Sequence, residues 1–436
     1  MVHSIGGEAV FVRQNAVTQA LRLGAVLLWI PIAGCGGGFW GGEAGTTVSL
    51  LNLISLGQGT VPTFFETDSN NLLELAEPVE RSFDPQVISG RISGAGDVDV
   101  YDLGPVVPGD RVLVSVTADA TLNGAIALFD DLGSTLLVND HRNVYLGAHG
   151  PFIDVTIRRA SEACLVAITS TPGFSSEGAY LLGASIQFQP PIPEPNPDVI
   201  LLDFGGARNV KVGSRPTIDV PSFDAADISD DYLGMTETMV AHIIDRVRHD
   251  FAGFDVTILS TTEGTRSTAT MSRIYFGVFD SALLGVAEGV DEYNATEGQE
   301  AMVFTDTFEA FMQLNPSVSE MAQAIANVAS HEIGHLLGLV HTDDPEDLMD
   351  VTASLRQLMR DQNFEDAPIY QAVFPVGNQD SVQMLLDAVG GDLDDILRAR
   401  AIRFAKTQRF GGDGGGPSAR SSRVFGSCGL THGKGE

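Results

Sequence analysis

His331-Glu332-Ile333-Gly334-His335-Leu336-Leu337-Gly338-Leu339-Val340-His341 places three imidazoles and a carboxylate within eleven residues. On a helix, positions 331 and 335 lie four apart, so both imidazoles project from one face toward a single point. Glu332 stands beside the first of them, where a carboxylate reaches a water at a metal without itself becoming a ligand. Gly338 lets the helix stop, because left-handed backbone costs a non-glycine residue roughly 1 kcal/mol or more. The chain then turns back and brings in His341 as a third nitrogen. Three protein ligands leave the fourth tetrahedral position open, which marks a catalytic rather than a structural zinc. The alternative is a buried helix whose histidines make ordinary core hydrogen bonds.

A second signal follows in Asp347-Leu348-Met349-Asp350, with Met349 eight residues past His341. The stretch from His331 to Met349 resembles the metzincin clan of zinc endopeptidases, and its spacing is most like the matrixin-type members. The resemblance implies Zn²⁺ on His331, His335 and His341, with Glu332 as the catalytic general base. It also implies that Met349 lies on a tight turn beneath the metal as a hydrophobic floor, and that the partner is a protein or peptide substrate. No second, tyrosine-type ligand motif follows Met349. An exopeptidase and a non-catalytic zinc-binding surface lipoprotein remain the alternatives.

Outward from this segment, residues 198–410 read as an α/β metzincin-like catalytic domain. Val199 to Phe204 is a continuous apolar run ending at Gly205-Gly206, as in a buried strand. Residues 230–250 carry Leu233, Val240, Ile243, Ile244 and Val247 near helical spacing, predicting a long amphipathic helix. Residues 255–259, 273–279 and 301–304 read as further strands. Ser317 and Glu320 fit a capping box that opens the helix bearing the histidines, which is expected to run to Leu337. Residues 366–410 suit one or two helices. In the clan, a strand at the position of Ser281 to Glu288 borders the cleft and pairs with extended substrate, which nominates Leu284, Gly285, Val286 and Ala287. An ordinary interior strand is the other reading. The loop holding Asp291, Glu292, Asn294 and Glu297 is a candidate for Ca²⁺ by the same resemblance, although its spacing is not that of an EF-hand and solvated loop carboxylates are the simpler reading.

Residues 79–188 show short apolar runs separated by turn chemistry such as Val107-Pro108-Gly109-Asp110 and Asp130-Asp131-Leu132-Gly133. That recurrence predicts an antiparallel β-sandwich, so the chain as a whole is multidomain, with the sandwich preceding the α/β domain. Asp97 to Leu103, Leu128 to Gly133 and Gly178 to Leu182 resemble the bacterial pre-peptidase C-terminal domain, although here the module precedes the peptidase-like segment. It contains no convergent catalytic set and reads as a spacer or binding module. His141 and His149 are too isolated to suggest a second zinc. Residues 189–197, with five prolines in nine positions, form a linker expected to adopt extended polyproline II and hold the two folded parts apart.

At the N-terminus, residues 1–34 carry Arg13 and Arg22 before the short apolar run Leu23 to Ile30, too brief to span a membrane comfortably. Ile32-Ala33-Gly34-Cys35 resembles the lipobox of bacterial lipoproteins, which implies a cleaved signal, acylation of Cys35 and attachment to a membrane in the bacterial cell envelope, at the outer membrane or cell surface. A plain secretory signal or an uncleaved anchor is the alternative. Residues 35–78 then read as a tether and 411–436 as a disordered tail. A formal charge of −32 excludes nucleic acid as a partner, because phosphates are repelled. Three cysteines in 436 residues exclude a disulfide scaffold. Cys164 lies in an apolar run, and Cys428 lacks the surroundings of a latency switch.

Overall fold

The computed structural model describes residues 63–67, 70–80, 85–139, 150–188 and 191–410. The signal segment, Cys35, His141, His149, Cys428 and the tail after 410 therefore lie outside the described residues. Among the described residues, sheet dominates the N-terminal half, and the long helices all belong to the C-terminal half.

Ten strands build the N-terminal half: β1 (Phe64–Phe65), β2 (Glu77–Pro78), β3 (Gln86–Ile92), β4 (Val98–Asp102), β5 (Asp110–Ala118), β6 (Gly124–Phe129), β7 (Thr135–Asn139), β8 (Phe152–Thr156), β9 (Leu165–Ser170) and β10 (Gly178–Phe188). They form two five-stranded sheets, ordered β1-β3-β10-β5-β8 and β2-β4-β9-β6-β7. Ile88, Val112, Val114 and Leu182 of the first sheet share one core with Tyr101, Ile126, Leu128, Val166 and Ile168 of the second. Strands β3 to β10 pair antiparallel, but β1 runs parallel to β3 and β2 parallel to β4. Both parallel strands come from the segment read as tether. At two residues each they are too short to show any alternation in the sequence.

The second sheet is buried on both faces. Alternate residues Ala125, Ala127, Phe129, Leu165 and Ala167 point away from the shared core and pack against Ile369 and Phe374 of the C-terminal half. The two halves are therefore in direct contact, which corrects the reading of the proline run as a spacer that keeps them apart. Residues 191–197 are exposed and lack regular structure, yet they end tied to the C-terminal half. There the Asn196 N–H donates to Ala388 O (2.7 Å), and Asn196 and Asn294 exchange amide-to-carbonyl bonds of 2.7 Å.

In the C-terminal half, β11 (Asp198–Asp203), β14 (Val256–Ser260), β15 (Ser272–Phe276), β16 (Gly285–Ala287) and β17 (Glu300–Val303) form a sheet ordered β14-β11-β15-β17-β16. All its pairings are parallel except that of the edge strand β16 with β17. Helices α1 (Thr236–Asp250) and α2 (Val318–Leu336) pack on one face, where Ile274, Phe276, Ala301 and Val303 meet Ile243, Val247, Met321 and Ile325. The opposite face, with Tyr275, Met302 and Phe304, is covered by residues of the hairpin β12 (Ala207–Val210) and β13 (Ile218–Val220). Downstream come the short helix α3 (Leu355–Leu358), the hairpin β18 (Asp366–Pro368) and β19 (Asn378–Asp380), and helices α4 (Ser381–Val389) and α5 (Leu393–Phe410). No helix among the described residues is long and apolar enough to cross a membrane.

Candidate metal centre and active site

Helix α2 opens on the capping box expected from its sequence: Glu320 N–H donates to Ser317 Oγ (3.3 Å) and Ser317 N–H donates to Glu320 Oε2 (2.8 Å). Every residue from Met321 to Leu336 is buried, which fixes the helix against the sheet and leaves His331 and His335 one turn apart. The helix ends at Gly338, whose φ of +101° lies in the left-handed region. Gly338 N–H bonds to His335 O (3.1 Å) and Leu339 N–H to Gly334 O (2.9 Å), a Schellman closure. A Cβ at Gly338 would also approach Asp291 O to 3.0 Å, so both conformation and space call for glycine. This turn sends the chain back across the helix end and delivers His341.

The three rings converge. His335 Nε2 lies 3.1 Å from His331 Nε2 and 3.0 Å from His341 Nε2. The contact between His331 and His335 is not a hydrogen bond, because both tautomers are set from the other side. His331 Nδ1 donates to Leu348 O (2.7 Å) and His335 Nδ1 to Leu339 O (2.8 Å), and a carbonyl only accepts. Each of those Nε2 atoms therefore bears a lone pair, and facing lone pairs at this distance repel unless a cation sits among them. Burial disfavours the charged ring, pushing His331 from 6.5 down to about 3, with nearby His335 adding to the effect, and His335 down to about 4. His341 is driven well below 6.5 by the same burial, reinforced by His335 and His331. Nitrogens about 2.0–2.1 Å from a tetrahedral zinc stand roughly 3.3 Å from one another, so three neutral imidazoles in this arrangement fit that ion. Among the described residues this is the sole group of histidine, cysteine and acidic side chains able to hold a metal.

The Asp291 to Glu297 loop forms no such group, and the calcium expectation finds no support there. Asp291 instead accepts from Thr296 N–H (2.8 Å), and Asn294 is spent on Asn196. Glu292 and Tyr293 face the N-terminal half across a crevice they share with Leu136 and Leu137 of β7.

Glu332 is 2 % exposed, and burial alone raises its carboxyl from 4.5 to about 8. It faces β16: a Cβ built on Gly285 would collide with Glu332 Oε1 and come within 2.8 Å of Val328 Cγ1. Leu284 is buried, and Gly285 to Ala287 form the sheet edge beside that carboxylate. Leu284, His331, Glu332, Val351, Ala353 and Leu358 are among the residues lining a cleft that opens to solvent. Met349 is fully buried against the helix that carries His331 and His335, and a Cβ on Gly334 would lie 2.5 Å from its sulfur. Its carbonyl accepts from Thr342 N–H (3.0 Å), closing the turn onto the segment that carries His341.

Two supporting residues were not singled out from the sequence. Asp347 is fully buried and accepts from Thr342 Oγ1 (2.6 Å) and Glu365 N–H (3.0 Å), and burial raises its carboxyl to about 7. Gln379 is fully buried beside Val340. An acidic residue directly before the Leu348-Met349 pair was a signal for the first; nothing local marks the second.

Residues 278–368 match the model of the matrixin peptidase family. No curated protein is similar enough to match the chain. Among solved structures, archaemetzincin from Methanopyrus kandleri is 16 % identical over 39 % of this chain and 89 % of its own, with a TM-score of 0.22. Metalloproteinase-II from Bacteroides fragilis is 13 % identical over 71 % of this chain and 92 % of its own, with a TM-score of 0.25. The pre-peptidase C-terminal domain of a Bacillus anthracis collagenase is 15 % identical over 26 % of this chain and 94 % of its own, with a TM-score of 0.20. The segment that holds Glu332, the three histidines and Met349 is thus the segment similar to the matrixins.

Proposed function

We propose that the chain is a zinc endopeptidase acting on protein or peptide substrates, with residues 198–410 in a metzincin arrangement and residues 79–188 as a sandwich of the pre-peptidase type. The observation that carries this reading is the convergence of three neutral imidazole nitrogens beside a buried carboxylate at a sheet edge. Zinc held by His331, His335 and His341 would supply Lewis acidity toward a scissile carbonyl and toward water. Glu332 takes the proton of the attacking water and returns it to the leaving amine. The free side of β16 offers main-chain groups to an extended peptide, which binds many sequences through the same bonds. The cleft beside Glu332 receives a side chain of that peptide.

The reading extends to the envelope, where acylated Cys35 would hold the protein at a membrane. Acyl mass on the mature N-terminal peptide, lost in Cys35→Ser together with membrane fractionation, is the expected result; an unmodified N-terminus removes this part.

The decisive experiment is zinc-loaded Glu332→Gln assayed on a peptide blocked at both ends. The amide touches no ligand, so zinc occupancy should stay near that of the wild type while the rate falls about 10²–10⁴-fold. Wild-type rates in the variant would remove Glu332 from the chemistry. Wild-type protein that trims free-ended peptides but never cuts the blocked one would be an exopeptidase.

A further inference from the structure

His341 is held differently from its two partners. His331 and His335 are fixed by a buried helix and by carbonyls that take their Nδ1 protons. Among the described residues no hydrogen bond holds the Nδ1 of His341, so the position of that ring follows from its backbone. The backbone is gripped by the segment from Ile369 to Gln379. Tyr370 N–H donates to His341 O (2.9 Å). Gln379 brackets the preceding residue: Val340 N–H donates to its Oε1 (2.7 Å), and its Nε2 donates to Val340 O (2.9 Å). A buried side-chain amide here does what a neighbouring strand does in a ladder.

The same segment is held from behind by the N-terminal half. Asn378, the residue before Gln379, donates its N–H to Gly133 O (2.9 Å), and its carbonyl accepts from Thr135 Oγ1 (2.7 Å). Phe374 packs against Phe129 with ring centroids 5.9 Å apart. Gly377, at φ +93°, lies so close to the Phe129 ring that a Cβ would collide with it. An unbroken line of bonds therefore runs from the β6–β7 turn through Asn378, Gln379 and Val340 to His341.

We propose that the N-terminal half is a positioning element of the metal centre and that Gln379 is the positioning residue through which it acts on His341. The inference rests on the metallopeptidase reading, but its test has readouts of its own. In the full chain, Gln379→Leu keeps the approximate volume and removes both bonds to Val340; Gln379→Glu retains the acceptor but loses the donor; Thr135→Val removes one of the two bonds that hold Asn378. Ile153→Val, in the inner core of the N-terminal sheets, controls for general loss of stability. The measurements are zinc release to a chromophoric chelator, the visible spectrum of the Co²⁺-substituted protein, kcat and KM, and the melting temperature.

Release should quicken about 10- to 100-fold in Gln379→Leu, as expected for loss of a group that orients a ligand. Gln379→Glu and Thr135→Val should move in the same direction by less, the Co²⁺ spectrum should shift, and kcat should fall with KM nearly unchanged. Ile153→Val should melt earlier yet release zinc as the wild type does. If Gln379→Leu does not fold, the other two variants decide. Wild-type release and spectra in the folded Gln379 and Thr135 variants, or release that follows melting temperature across all variants including Ile153→Val, overturn the proposal. A zinc-loaded wild type that cleaves no peptide overturns the peptidase reading instead and leaves the release data to judge the positioning role.

Discussion

Glu332 is confined between its own helix and a strand that lacks a side chain at the point of contact. Gly285 faces the carboxylate so closely that alanine there would displace Oε1. A shift of about 1 Å in a catalytic group costs on the order of 10²-fold in rate. Gly285→Ala should therefore lose about that much kcat while its zinc content, measured by metal analysis, stays at the wild-type level; unchanged turnover would mean that Glu332 has room the geometry does not suggest. Protonation supplies a second test, made on metal-free protein. The folded carboxyl titrates near 8 and an unfolded one near 4.5. Between those pH values the unfolded chain releases a proton that the folded chain retains, so rising pH favours unfolding. The melting temperature of metal-free wild type should accordingly fall relative to metal-free Glu332→Gln from about pH 4.5 upward, the gap levelling off above about pH 8. A constant gap across that range would contradict the buried, unpartnered carboxylate. His341→Ala, by contrast, leaves two imidazoles, and zinc occupancy should drop with activity.

At the scale of elements, helix α2 was legible from end to end. Ser317 and Glu320 announced its start, and Gly338 its stop, because both signals are local: one side chain reaches three residues along, and one backbone angle excludes a Cβ. Ser317→Ala should cost about 1 kcal/mol of stability, read by denaturant unfolding, with little effect on the assembled site. Gly338→Ala should do more, since it strains the turn and crowds Asp291 O; lower stability together with faster zinc loss is expected. Helix α1 was less legible. Periodicity suggested a start near residue 230, but a short 3-10 turn over Asp230–Tyr232 and Gly234 at φ +76° intervene, and the α-helix begins at Thr236. Leu233, assigned to the apolar face, is 75 % exposed. A hydrophobic residue at helical spacing does not reveal whether the backbone has yet become helical.

For the whole molecule, the decisive feature is the apolar outer face of the sheet β2-β4-β9-β6-β7. Strands Gly124–Phe129 and Leu165–Ser170 are buried at every position. A continuous apolar run is the mark of a strand covered on both sides, whereas a sandwich with one wet face alternates. That signal was present in the sequence, although it does not say what the second cover is. Tertiary structure supplies Ile369 and Phe374, with Arg159 and Asp387 (3.0 Å) and the Arg158 guanidinium over the Tyr293 ring (4.4 Å) also joining the halves. A fragment from Asn196 to Phe410 would bare the apolar side of this contact. It should self-associate and hold zinc poorly, checked by sedimentation and metal analysis; a monomeric, fully loaded fragment would show that the contact is dispensable.

The sequence alone marked the three histidines, the capped helix that carries two of them and the strand runs before it, because a metal motif, a cap and a strand period are each written within a few consecutive residues. What only the tertiary structure decided is how those parts lean on one another. Gly285 comes against Glu332 across 47 positions, Gln379 against Val340 across 39, and Thr135 against Asn378 across 243. None of these pairs leaves a local trace, since a glycine, a glutamine and a threonine in extended chain look the same whether they meet solvent or a distant segment of the chain. Their roles follow from chain topology, which brings a sheet edge against the histidine helix and the strap from Ile369 to Gln379 against the chain just past its end.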